Sequence, residues 1–115
     1  MREKVYHRKL ISDKTPEIIR ATGDECETRI LGKKEFEKEL KKKLIEEAQE
    51  VVEAPRKNLT NELADVLELI KSIGQFYGIK FSNIERRQKE KKKRRGGFTK
   101  KLYLIWSNRK KGYGD

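Results

Sequence analysis

Glu46-Glu47-Ala48-Gln49-Glu50 and Glu62-Leu63-Ala64-Asp65 are the stretches of this chain best suited to chemistry. Glu47 and Glu50 are three residues apart, as are Glu62 and Asp65, so each pair shares a helix face within one turn. Gathered together, Glu47, Glu50, Glu62 and Asp65 would concentrate about four negative charges, which is unfavourable without cations. Hard oxygen ligands of this kind suit Mg²⁺, above all a Mg²⁺ that also holds phosphates. The plain alternative is a solvent-facing charged surface. E-x-x-E and E-x-x-D arise readily where 43% of residues are charged, and Lys42/Glu46 and Lys43/Glu47 have ordinary i,i+4 ion-pair spacing. Spacing alone leaves both readings open.

The elements that must carry these carboxylates show in the apolar periodicity. From about Lys34 to Ala54, Phe36, Leu40, Leu44, Ala48, Val51 and Val52 recur at helical spacing, with Ile45 beside them. Pro55 ends this helix, because proline disfavours helical backbone at the preceding residue and lacks an N–H. After Pro55-Arg56-Lys57-Asn58, a second helix carries the stripe Leu59, Leu63, Val66, Leu67, Ile70, Ile73 and Tyr77, with Gly78 suited to the left-handed position beyond it. So short a link predicts antiparallel neighbours. With Ala48 at the centre of the apolar face, Glu47 falls roughly 100° to one side and Glu50 roughly 60° further. Both then flank the seam between the helices, as Glu62 and Asp65 do on the second helix. Packing permits one shared site without requiring it, and small Ala48 and Ala64 favour close approach.

Outside the hairpin, Val5 to Ile11 is expected to be a short strand. Thr15-Pro16-Glu17 starts a short helix, with Thr15 as N-cap, that stops near Gly23. Asp24 to Lys34 is a loop. Ser82-Asn83-Ile84-Glu85 reads as a capping box opening a third helix that runs to Gly96-Gly97. Lys101 to Trp106 is expected as a closing strand, and Ser107 to Asp115 as a flexible tail. The expected architecture is mainly all-α: an antiparallel helical hairpin, a third basic helix and short flanking strands. Residues 1–106 form the single domain and 107–115 the tail.

At 115 residues, 34% of them apolar, the core is modest, so a homodimer or higher oligomer is expected to bury more surface. No apolar run approaches the ~20 residues that span a bilayer. The opening Met1-Arg2-Glu3-Lys4-Val5 lacks a signal peptide's apolar stretch, and the lone Cys26 between Glu25 and Glu27 has no cation to activate it. A reducing, cytoplasmic setting is the expectation. The net charge of +11 is uneven: residues 1–84 hold 17 Lys/Arg against 16 Asp/Glu, whereas residues 85–115 hold 13 against 3. Such a basic stripe attracts polyanions.

The pattern resembles a known family. E-E-x-x-E followed by E-x-x-D on adjacent helices is similar to the all-α nucleoside triphosphate pyrophosphohydrolases, the MazG-like and phosphoribosyl-ATP pyrophosphohydrolase-like group. Lys9-Leu10-Ile11-Ser12-Asp13-Lys14-Thr15-Pro16-Glu17-Ile18-Ile19 resembles the K-L-V-R-D-K-I-P-E-I-I opening of its house-cleaning branch, with Ser12 where that opening usually has Arg. Thr28-Arg29-Ile30-Leu31 and Arg95-Gly96-Gly97-Phe98 also resemble segments of that branch, and the gap from Glu50 to Glu62 is short for the wider group.

The resemblance implies hydrolysis of an NTP or dNTP, including non-standard ones, to a monophosphate and pyrophosphate. Glu47, Glu50, Glu62 and Asp65 would hold Mg²⁺, with Mn²⁺ as the alternative ion. Glu47 and Glu46 would be the catalytic carboxylates, with Glu46 orienting water or supporting the ligands. Lys89, Lys93 and Arg95, and also Lys14, would bind the substrate phosphates. The competing class is a non-enzymatic nucleic-acid-binding protein that uses the basic helix Arg86–Arg95. That run has no interleaved aromatics for base stacking. Phe98, Tyr103 and Trp106 read as packing residues, and His7 lies outside every motif.

Overall fold

The computed structural model describes residues 3–110. They contain α1 (Thr15–Ala21), α2 (Lys33–Glu53), a 3₁₀ turn (Arg56–Asn58), α3 (Leu59–Phe76) and α4 (Phe81–Arg95). The chain divides into two compact units between Tyr77 and Gly78.

In the first unit, α2 and α3 form the hairpin that Pro55 predicts. Ala54, held extended at ψ 135° ahead of the proline, ends α2, and the Asn58 N–H donates to the Pro55 carbonyl (2.9 Å) to close the turn. The far end of the hairpin fixes its antiparallel sense. There the Phe36 and Phe76 rings lie 5.7 Å apart, the Tyr77 hydroxyl donates to Glu37 Oε2 (2.5 Å), and Lys41 sits over the Tyr77 ring. Leu40 and Leu69 are the buried hydrophobic side chains, at 4% and 8% exposure.

The seam differs from the one centred on Ala48. Leu40 is buried and Leu44, Glu47 and Val51 are half-buried, whereas Ala48 is exposed with Ile45 and Val52, which are 72% and 77% exposed. The helix is thus turned so that Glu47 lies in line with the core residues, and Glu50, on a neighbouring face, stays in solvent. On α3 the inward residues are Leu59, Glu62, Val66, Leu69 and Ile73, spaced three or four apart, while Leu63 and Leu67 face outward.

Neither flanking strand forms: the described residues contain helices and no strand. Residues 5–11 and 101–106 are irregular chain. A strand is held by hydrogen bonds to a neighbour, and apolar alternation without such a partner does not suffice. Two helix starts also differ. α1 begins at Thr15 with Lys14 at the cap, so Pro16 sits second in the first turn. α4 begins at Phe81, which moves Ser82 inside the helix, and no side chain caps its start. The second unit holds α4 and the chain beyond it. Gly78 (φ 71°) and Gly96 (φ 82°) take the left-handed backbone expected beside helix ends. The expected tail lies, from residue 111 onward, outside the described residues. No helix among them is long and apolar enough to cross a membrane.

Candidate active site

The hairpin brings Glu47 from α2 together with Glu62 and Asp65 from the start of α3. One carboxylate oxygen from each lies within 4.8 Å of the other two. Pro55 makes this meeting possible, because the turn sets the last part of α2 beside the first part of α3. Glu62, in the first turn of α3, benefits from the positive end of that helix. At such separations each carboxylate pair repels by roughly 1 kcal/mol under water-like screening and about 3 kcal/mol under protein-like screening. Burial pushes the Glu47 carboxyl pKa up, Lys43 pulls it down, and Asp65, Glu46 and Glu62 push it up, for a net rise above the ordinary value.

Glu50 is exposed and lies outside this three-carboxylate group. Glu46 lies beside the group: its Oε1 is 3.6 Å from Lys9 Nζ and 3.3 Å from Lys43 Nζ. Lys43 also reaches Glu47 Oε1 at 3.7 Å. Lys9, Leu10, Glu39, Lys42, Lys43 and Glu46 line a crevice of about 20 Å³ where the N-terminal segment meets α2. That volume suits about one water molecule. Lys9, which the motifs left without a role, is thus a neighbour of Glu46. Its signal was its place as first residue of the K-L-x-x-D-K segment.

Of the cations expected to bind phosphate, Lys14 caps α1 in the first unit. Lys89 and Lys93 lie one turn apart on α4, and Arg95 is its last residue, all in the second unit. Arg29 pairs with Glu35 (Nη2 to Oε2 2.5 Å), which raises the arginine's pKa and lowers the acid's, chiefly through their hydrogen bond. Cys26 is a half-buried free thiol.

The hairpin gathers carboxylates from both helices, and three hard, anionic oxygen donors so placed could hold a hard divalent ion. A family model, the MazG nucleotide pyrophosphohydrolase domain, matches residues 36–97, more than half of the chain. The protein belongs to that family. The matched region starts within α2, takes in Glu47, Glu62 and Asp65, and ends just after α4. No curated protein and no solved structure matches the chain.

Proposed function

We propose that the protein is a Mg²⁺-dependent nucleoside triphosphate pyrophosphohydrolase that converts an NTP or dNTP and water to the monophosphate and pyrophosphate. The observation that carries this reading is the convergence of Glu47, Glu62 and Asp65 within the region matched by the pyrophosphohydrolase family. These three would hold the cation, with Glu50 as a contributor from the adjacent turn of α2; Mn²⁺ is the alternative ion. When bound, a divalent ion supplies charge neutralisation for the polyphosphate and acidifies a nearby water.

The residues of the chain do the rest. In the reaction, a water oxygen forms a bond to the α-phosphorus, the α–β bridging P–O bond breaks, and pyrophosphate leaves with the electron pair. Glu47, half-buried beside Glu62 and Asp65, is the group placed to take the proton of the attacking water through the carboxylate oxygen not given to the cation. Glu46, paired with Lys9 and Lys43, orients water or supports the ligands, and anchors those two cations beside the site. Lys14, Lys89, Lys93 and Arg95 offset phosphate charge.

Residues 1–106 act as one functional domain in this reading, since the family match crosses the boundary at Tyr77. The exposed apolar side chains Ile45, Val52, Leu63 and Leu67 support a homodimer or higher oligomer that covers them. The setting is cytoplasmic. The test is a panel of standard and modified NTPs and dNTPs with Mg²⁺, read by both pyrophosphate and monophosphate. Equimolar release of the two, abolished by a chelator, is expected. Orthophosphate release, or no turnover of any nucleotide, sinks the proposal.

A further inference from the structure

The second unit contains more positive charge than a nucleotide site uses. α4 presents eight Lys/Arg along FSNIERRQKEKKKRR against Glu85 and Glu90, and Glu90 pairs with Arg86 and Arg87 (3.9 and 3.4 Å). Cations clustered in the last turn, Lys92 to Arg95, favour the negative helix end, but that accounts only for their part of the run. The chain then turns at Gly96, with Gly96 N–H donating to the Lys92 carbonyl (2.8 Å), and Lys101 N–H donates to the Phe98 carbonyl (3.1 Å). Residues 95–102 thereby line a cleft of about 250 Å³ into which Arg95, Lys100 and Lys101 bring charge and Phe98 a ring.

In and beyond the cleft the aromatic residues are exposed to solvent. Phe98, Tyr103 and Trp106 are 97%, 90% and 79% exposed, and Leu102, Leu104 and Ile105 beside them are exposed too. Lys100 and Lys101 lie between Phe98 and Tyr103, and Arg109 and Lys110 follow Trp106. Expected from sequence to be packing residues, the three aromatics supply the ring surfaces that the 86–95 run lacks. Cations in series with exposed rings are the two components of single-strand recognition: charge follows the phosphates, and each base has a π-face that stacks without regard to sequence. α4 itself has only Phe81 and Ile84 as apolar residues, too few for the apolar face of a membrane-surface helix.

We infer that residues 86–110 form a binding surface for single-stranded nucleic acid, with the Lys/Arg of α4 and the 95–102 cleft on the phosphates and Phe98, Tyr103 and Trp106 on the bases. Lys89, Lys93 and Arg95 are shared with the proposed nucleotide site, whereas the other cations of α4 and the three rings are not.

Trp106 is the chain's single tryptophan, so its emission reports on the surface directly. The full-length protein is titrated with a mixed-sequence single-stranded RNA, the matching DNA, and vesicles of phosphatidylserine and phosphatidylcholine. The oligonucleotides are expected to quench the emission, with affinity falling on added salt at a log–log slope of about −3 to −4 for some five phosphates. The triple variant Lys91→Gln, Lys92→Gln, Arg94→Gln should lower that slope by about 2. Its pyrophosphate release should stay as in the wild type. Tyr103→Ala should weaken binding by about tenfold and leave the slope unchanged. A blue shift with vesicles and no quench with oligonucleotides overturns the inference in favour of a membrane surface. Emission already blue and quencher-resistant in the free protein overturns it in favour of a packed segment. Binding indifferent to salt or to both sets of substitutions overturns it as well.

Discussion

Lys43 Nζ lies 3.7 Å from Glu47 Oε1, one turn along α2, with both side chains largely shielded at 18% and 14% exposure. Lys43 thus occupies the position of a built-in counter-charge at the carboxylate group. It eases the crowding of Glu47 with Asp65 and Glu62, and it opposes an incoming divalent cation. Lys43→Met is expected to bind Mg²⁺ several-fold more tightly than wild type at pH 8. Near pH 5 the gain should be smaller, since the variant's Glu47 holds its proton more firmly and the proton competes with the cation. Calorimetric Mg²⁺ titrations at the two pH values check this; unchanged affinity at both would remove Lys43 from the site.

The carboxylates also differ among themselves. Glu62 belongs to the 4.8 Å group and is half-buried, while Glu50 is exposed outside it. Glu62→Gln is therefore expected to weaken Mn²⁺ binding by about tenfold or more, and Glu50→Gln by distinctly less. Electron paramagnetic resonance of bound Mn²⁺ ranks the two. Equal losses would place Glu50 among the direct ligands.

The raised pKa of Glu47 makes a signed prediction about stability. An acid that binds its proton more tightly folded than unfolded stabilises the fold at low pH. That contribution is lost as pH rises from the ordinary glutamate value near 4.5 through the raised one. Glu35, lowered by Arg29, acts in the opposite sense, so the comparison is made against Glu47→Gln. In the absence of metal, the melting temperature of Glu47→Gln should gain on that of wild type as pH climbs from 4 to 7, and added Mg²⁺ should close the gap. A difference flat in pH would contradict the assignment of burial as the dominant influence.

Ile45 and Leu67 lie on the outward faces of α2 and α3, 72% and 43% exposed. Covered in an oligomer, each would contribute about 1–2 kcal/mol of apolar burial. The double variant Ile45→Glu, Leu67→Glu is expected to shift the protein from dimer or larger to monomer in light scattering while keeping its helical circular dichroism. A wild-type protein that is monomeric at tens of micromolar would dispose of the oligomer.

The hairpin was legible in the sequence because its causes are local: a 3.6-residue apolar period on each side of Pro55, and too short a link for anything but antiparallel packing. The rotation of each helix was less so. Broad apolar stripes containing Ile45, Ala48 and Val52, or Leu63 and Leu67, do not say which edge faces the partner helix. The stripe drawn on α3 omitted Leu69, one of the buried residues. That same rotation decides which glutamates meet, so Glu47, Glu62 and Asp65 converge and Glu50 does not. Lys9 was hidden for another reason, since its approach to Glu46 joins distant parts of the chain. The flanking strands failed because β pairing is tertiary, and alternation in Val5–Ile11 or Lys101–Trp106 names no partner.

The proposed activity requires the carboxylates of Glu47 and Asp65 to act together across the hairpin. The most direct measurement is Mg²⁺-dependent pyrophosphate release by wild type, Glu47→Gln and Asp65→Asn, with circular dichroism to confirm that each remains folded. Each substitution removes one charge and adds almost no volume. We predict a loss of at least about 10²-fold in kcat/KM for both single variants. The double variant should be little worse than either, as expected of residues that work as a unit. Folded single variants that keep wild-type turnover would contradict the central claim.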